Sequence, residues 1–380
     1  MDKFAIIKRR WKTAIVYGFI MIIVLSFLIG IQLTNDNVLD KNPEKTIMVS
    51  FGFELPIEGS SGYAPTIINL KKENKLNSET ITTIEPGEAF RIILEDANWW
   101  QINYKGLIGW VENTICMINL PDIIPSIIYN NTNSYSSMFK SSGYDIDYIT
   151  GSQLYNAYMY NNRFEKEQYI MPVMYPMAKK IYTVQKLALE NDESLMIYET
   201  FRPYDVQTNI ANALLALLDY NTDVQEGIFV SGWNINWFIA TGVSGHQMGL
   251  SMDVSLVKIN EYITKIIGKD KYMEITSYTP YPMPTDMHEL SIKAARFKYG
   301  VSGLTAWKKT PFAITMTEEA KKLQNYCTSA NLIPLASEWW HFDDLETKST
   351  IARLGYKNLQ GKFYLEENVS EKFSEVKEVN

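Results

Sequence analysis

The sequence predicts three parts in order: one apolar helix, an all-β barrel of short strands, and an α+β domain. The last is expected to hold a small antiparallel sheet with flanking helices. Three observations predict this. Residues 13–33 contain no charged side chain. Between residues 46 and 118 short apolar runs are broken by turn residues, the pattern of small barrels. From residue 121 onward, runs with helical spacing alternate with runs of strand composition.

The opening residues 1–12 carry Lys3, Lys8, Arg9, Arg10 and Lys12. The uncharged stretch 13–33 reaches the roughly 20 helical residues needed to cross a bilayer core. It exceeds the apolar core of a cleavable signal peptide, about 7–15 residues. The pattern predicts a signal anchor, with the basic flank inside the cell and everything after Leu33 outside. Residues 34–45 are polar, include Pro43 and read as a linker. At the other end, residues 366–380 are charged and read as a frayed tail.

The chain has 380 residues, of which 46% are apolar, so two domains with real cores fit. Its net charge of −7, with no concentrated basic face beyond the N-terminus, argues against a nucleic-acid partner. The two cysteines, Cys116 and Cys327, fall in different expected domains and read as buried free thiols.

Within 46–118, a strand over 88–94 follows the Pro86-Gly87 turn. Trp100, Ile102 and Tyr104 alternate along the next strand, and Lys105-Gly106 makes a hairpin turn. Gly109-Trp110-Val111 closes the set. In this order, with Ile68-Asn69-Leu70-Lys71 ahead of them, residues 64–113 resemble the bacterial SH3-like (SH3b) wall-binding module. The resemblance implies a cell-wall partner; a plain structural spacer stays open beside it.

Within 121–365, Met174, Met177, Ala178, Ile181, Val184 and Ala188 mark a core-facing helix. Residues 194–200 read as a strand ending at Phe201-Arg202-Pro203, and Asp205 as the cap of a second helix. A strand over 250–257 carries Asp253. Thr315 and Glu318 form a capping box for a helix to about Ser329. A strand over 333–345 is expected to present Glu338 and His341.

Only three histidines occur, His246, His288 and His341. His246 lies in Ser244-Gly-His246-Gln-Met-Gly249-Leu-Ser251-Met-Asp253, and His341 closes Glu338-Trp339-Trp340-His341. Two imidazoles and a carboxylate supply three ligands for Zn²⁺ and leave a fourth position open. Glu338 is then free to act as a base. Alone, His341 reads as a packed histidine beside two tryptophans, and His288 next to Glu289 reads as structural. A serine nucleophile elbow is excluded, because Gly-x-Ser-x-Gly occurs nowhere. One tension stands: residues three apart on a regular strand face opposite ways. Glu338 and His341 therefore need a bulge, strong twist or strand end.

Three blocks in this order carry a second resemblance: Tyr198-Glu-Thr-Phe-Arg202-Pro203, Ser244-x-His246-x-x-Gly249-x-x-x-Asp253, and Glu338-Trp-Trp-His341. With residues 283–291 between the last two, residues 145–343 resemble the D-Ala-D-Ala peptidases of the lysostaphin/D-alanyl-D-alanine/hedgehog metallopeptidase superfamily. The likeness is to the vancomycin-resistance type dipeptidases and carboxypeptidases. It implies that His246, Asp253 and His341 bind zinc, that Glu338 is the general base and that Arg202 steadies the substrate carbonyl. Ser244 is a further candidate for a hydrogen bond to substrate. Ser251 departs from the family, which usually has alanine there. The implied activity is that of a zinc D-alanyl-D-alanine carboxypeptidase on peptidoglycan stem peptides, held outside a bacterial cell membrane through residues 13–33. Carboxypeptidase is chosen because an outside enzyme meets D-Ala-D-Ala already joined to a stem. A dipeptidase or endopeptidase with the same site, and a non-catalytic wall-binding zinc protein, remain alternatives.

Overall fold

Strand alternation builds the barrel. Along Trp99–Tyr104 every second side chain (Trp100, Ile102, Tyr104) is buried and the others are partly exposed, as a pleat with one wet face requires. This computed structural model describes residues 52–230, 232–356 and 359–372. Trp99–Tyr104 pairs with Ala89–Asp96 on one side and Leu107–Glu112 on the other. Lys105 and Gly106 turn the second hairpin with φ of 51° and 87°, the two positive values that a tight two-residue turn needs. Ser61–Tyr63, Ile68–Lys71, Thr80–Ile84 and Met117–Asn119 complete this part of the sheet.

The sheet does not stop at the expected boundary. Met117–Asn119 pairs both with Ser61–Tyr63 and with Pro172–Met174, so a later segment supplies the eighth strand. Trp100 of the barrel packs edge-on against Tyr175, with ring centroids 4.6 Å apart. Tyr175 opens the helix Tyr175–Leu189, whose Met177, Ala178, Ile181, Val184 and Ala188 are buried. One apolar core thus runs from Trp100 and Ile102 to Ile197, Val254 and Trp339. The described residues all fall within one unit, Ser50–Asn380. Buried Asp122 adds a polar tie, accepting from Ser61 N at 3.0 Å and Asn161 Nδ2 at 2.7 Å. Cys116 and Cys327 are buried and unbridged.

A second sheet carries the chemistry. Its central strand, Ser251–Ile267, pairs antiparallel with Glu193–Glu199 and with His341–Asp343. Ile128–Tyr129 joins parallel to Glu193–Glu199, so the sheet is mixed where an antiparallel one was expected. Beyond Val257 the central strand leaves the body and forms a mostly exposed hairpin with Asp270–Pro280; the sequence reading ended it at residue 257.

Local signals shift by a residue or two in the helices. Asp205 lies in the first turn of Tyr204–Leu218, preceded by Pro203. Glu318–Ser329 is capped by Thr317, whose side chain accepts from Ala320 N, where Thr315 had been expected. The C-terminal segment is held rather than frayed as far as Lys372. Glu371 N donates to Gly59 O at 2.8 Å and Val369 N to Ser61 Oγ at 2.9 Å.

The membrane part of the expected fold is corrected. Among the described residues no helix is long and apolar enough to cross a membrane. Helices such as Tyr175–Leu189 and Tyr204–Leu218 have 15 residues, against the roughly 20 a span requires. The transmembrane element, the membrane partner and the single-pass localisation therefore find no support in the structure. The segment 13–33 to which they were assigned lies outside the described residues.

Candidate metal centre

Strand register places the first three groups. Asp253 on the central strand faces Glu199 on one neighbour and His341 on the other. Directly opposed residues share a face of the sheet. A register shift between Ile197 and Glu199 brings Glu199 onto this level. Arg202 follows three residues past that strand's end, and His246 sits in the loop leading into Ser251–Ile267. The expected strand over 333–345 is instead a hairpin: Ile333–Pro334 pairs with His341–Asp343, and Glu338 lies in the connecting loop. That answers the facing problem, since Glu338 is not on a strand with His341.

Buried Arg296 holds this loop. Its guanidinium donates to the carbonyl oxygens of Leu335 and Glu338 at 3.2 Å, and to those of Trp339 and His341. On the other side, Gln247 braces the His246 loop. Its Oε1 accepts from Ser244 N and Ser244 Oγ at 2.7 Å, and its Nε2 donates to Arg202 O at 2.9 Å. Gly245 has no room for a side chain, because a Cβ there would collide with Ser251 Oγ and approach Asp343 Oδ1.

Hydrogen bonds fix which ring nitrogens face inward. His246 Nδ1 donates to Thr200 O at 2.7 Å, which leaves Nε2 with its lone pair. His341 Nε2 donates to Asp343 Oδ1 at 3.1 Å, which leaves Nδ1 likewise. These two nitrogens lie 3.2 Å apart. Asp253 Oδ1 is 3.0 Å from His341 Nδ1, and Asp253 Oδ2 is 3.4 Å from His246 Nε2. Two ligands at about 2.0–2.1 Å from a tetrahedral zinc stand roughly 3.3 Å apart. Three lone-pair donors facing one another at ligand spacing repel unless a metal ion, or protons in its place, lie between them. The donor set, two imidazoles and one carboxylate, fits zinc.

A second acid–histidine group, Glu199, Asp253 and His288, also converges. It already holds a cation: Arg202 bonds Glu199 Oε2 through Nε at 2.7 Å and again through Nη2, and reaches Asp253 Oδ2 at 3.3 Å. Asn133 Nδ2 and Tyr155 Oη donate to Glu199 Oε1 at 2.8 and 2.7 Å. Arg202 Nη1 also donates to Gln207 Oε1 at 2.6 Å. Of its five N–H groups, one on Nη1 remains for a ligand.

A cavity of about 160 Å³ opens over these groups, lined also by Ser244, Trp237 and Phe139. Glu338 borders it, with Oε2 3.7 Å from His341 Nδ1. Burial pushes the Glu338 carboxyl up to about 8; His341 pulls it down and Asp253 adds to the rise. With protons on the inward ring nitrogens in place of an ion, His246, His288 and His341 hold Asp253 well below the usual carboxylate range against the cost of burial. Ser244 reaches the cavity, but its hydroxyl is already bonded to Gln247 and His246 N.

The structure thus gathers His246, Asp253, His341, Glu338 and Arg202 about one cavity. Sequence reasoning missed Glu199, Asp343, Arg296 and the placement of His288. Asp343 had a signal: it lies two residues past His341, on the same face of a strand. Arg296 had none.

Residues 66–114 match the bacterial SH3 domain family, which overlaps the expected barrel portion 64–113. No curated protein matches the chain. The chain therefore contains a bacterial SH3 domain, and the metal centre lies outside the matched residues.

Proposed function

We propose that this protein is a zinc-dependent D,D-peptidase acting on the D-Ala-D-Ala end of peptidoglycan stem peptides. The observation that carries the metal part is the mutual approach of His246 Nε2, His341 Nδ1 and Asp253 at 3.0–3.4 Å, each ring's other nitrogen already committed. The substrate class comes from the sequence resemblance. The bacterial SH3 domain supports a wall partner, because the module it resembles binds cell wall.

His246, Asp253 and His341 would hold the ion. When bound, zinc polarises a scissile carbonyl and makes water more acidic. Glu338, at the cavity wall, takes the proton of the attacking water and passes it to the leaving amine. The high basicity that burial gives its carboxylate suits that task. Arg202 cannot give up its proton, so its remaining N–H binds the substrate's oxygen.

A carboxypeptidase preference rested on an outside location, which the structure does not support. The proposed activity is therefore that of a D,D-peptidase, without a choice among its product classes. A second reading, a non-catalytic wall-binding protein with a structural metal, draws on the bacterial SH3 domain being the family that matches. Purified muropeptides incubated with the zinc-loaded protein separate the two. The peptidase reading expects D-Ala or D-Ala-D-Ala release, falling about 100-fold in Glu338→Gln with metal retained, the usual scale of a lost general base. No release by the wild-type protein sinks it.

A further inference from the structure

His288 reads from sequence as structural, yet it sits against a proposed metal ligand. Its Nε2 lies 3.1 Å from Asp253 Oδ2. A carboxylate only accepts, so the proton between them belongs to Nε2. The ring is 1% exposed and stacks on Phe139 with centroids 4.1 Å apart. The same Phe139 ring lies 5.0 Å from the Arg202 guanidinium. The other ring nitrogen, Nδ1, is buried without a hydrogen-bond partner, and the backbone has φ of 63°. An unsatisfied buried nitrogen and a left-handed backbone at a bulky residue both cost stability. Packing alone does not offset these costs, because an apolar ring stacks on Phe139 without the unsatisfied nitrogen.

The carboxylate of Asp253 shows what the N–H does. Oδ2 receives two donors, His288 Nε2 at 3.1 Å and Arg202 Nη2 at 3.3 Å. Oδ2 also lies 3.4 Å from His246 Nε2 but has both lone pairs taken by these donors, whereas Oδ1, 3.0 Å from His341 Nδ1, keeps its lone pairs for an ion. An oxygen with two in-plane lone pairs is saturated by two such donors. We infer that His288 is a positioning residue: with Arg202 it occupies Oδ2 and leaves Oδ1 as the single ligating oxygen of Asp253. The inference rests on the metal centre proposed above. It makes Asp253 a one-oxygen ligand, which suits a four-coordinate ion with one open position. Outer-shell donors of this kind typically tune metal affinity by about 10–100-fold.

Two substitutions separate the N–H from the ring. His288→Phe keeps the stack on Phe139 and removes the donor. His288→Gln loses the ring and offers an amide N–H at similar reach. Zinc dissociation constants come from competition with a chromophoric chelator on the full chain, and visible spectra from the cobalt-loaded protein. H288F should bind zinc about 10–100-fold more weakly and lose visible cobalt intensity, as Asp253 turns bidentate and the coordination number rises. H288Q should recover most of both. H288L gives the same deletion with a smaller side chain if phenylalanine does not fit. Unchanged affinity and spectrum in the donor-deleted variant, or equal loss in both variants, overturns the inference alone. A wild-type protein that takes up no divalent ion overturns the metal centre and this inference together.

Discussion

Asp343 Oδ1 lies 3.1 Å from His341 Nε2 and accepts a hydrogen bond from Ser251 Oγ. One carboxylate therefore decides which nitrogen of His341 turns toward Asp253. Ser251 and Asp343 are directly opposed in the strand register, so the bond follows from the pairing itself. The residue that departs from the resembled family thus reaches the metal centre through one intermediate.

Asp343→Ala should release that control. Zinc affinity is expected to fall about 10–100-fold, the range for an outer-shell carboxylate on a metal-binding histidine. Ser251→Ala should act in the same direction by less. Chelator competition measures both, and an unchanged constant in D343A would remove the tautomer argument.

Arg296 is the support of the Glu338 loop. It is fully buried, and it donates to four backbone carbonyls and to Gln324 Oε1. Burial pushes its guanidinium down to about 9. Lysine carries one point charge and cannot span these carbonyls as the planar fork does. Arg296→Lys is expected to cost about 2–4 kcal/mol in urea unfolding, the scale of a broken buried network. It should also lower kcat while metal affinity holds. Equal stability would show that the carbonyls find other donors.

Half-buried Glu54 gives the protein a pH dependence away from the metal centre. Burial raises its carboxyl from 4.5 to about 7, against hydrogen bonds from Ser126. The folded state thus keeps a proton that the unfolded chain has released. Its favourable contribution is complete below about pH 4.5 and is lost as pH rises through 7. The loss is at most about 3 kcal/mol, reduced by whatever water reaches the side chain. Glu54→Gln should flatten the change in unfolding free energy between pH 5 and pH 8. A slope as steep as in the wild type would assign it to another group.

Glu338→Gln, proposed above to separate chemistry from binding, has a counterpart in His246→Ala and His341→Ala. Each should abolish tight zinc uptake, read by metal analysis after dialysis. Full occupancy in either would show that the ligand set is wrong.

Legibility tracked how local each signal was. The alternation of Trp100, Ile102 and Tyr104 and the Lys105-Gly106 turn are local, and both strands and the turn stand where expected. So does the helix carrying Met177, Ile181 and Val184. The gathering of His246, Asp253 and His341 was readable because the residue types are rare and chemically specific. What escaped depends on distant pairing. Arg296 meets Glu338 only because a hairpin folds back over it. The parallel pairing of Ile128–Tyr129, the exposed hairpin after Val257 and the docking of residues 366–372 are likewise set by long-range contacts. None of these leaves a periodic trace in its own segment.

The returning C-terminal segment has a mechanical consequence. Gly361 lies so close to Gln247 that a Cβ there would stand 2.7 Å from Gln247 O, and Tyr204 N donates to Gly361 O at 2.9 Å. Ten residues later Glu371 is bonded to Gly59, in the segment that leads into the barrel. The same chain end grips the loop of His246 and the barrel, in parallel with the shared strand Pro172–Met174. Among the described residues, tension applied to the barrel therefore meets no slack linker on its way to the second sheet. It is borne as shear across paired strands and along the strap, and is delivered to the brace of the metal loop.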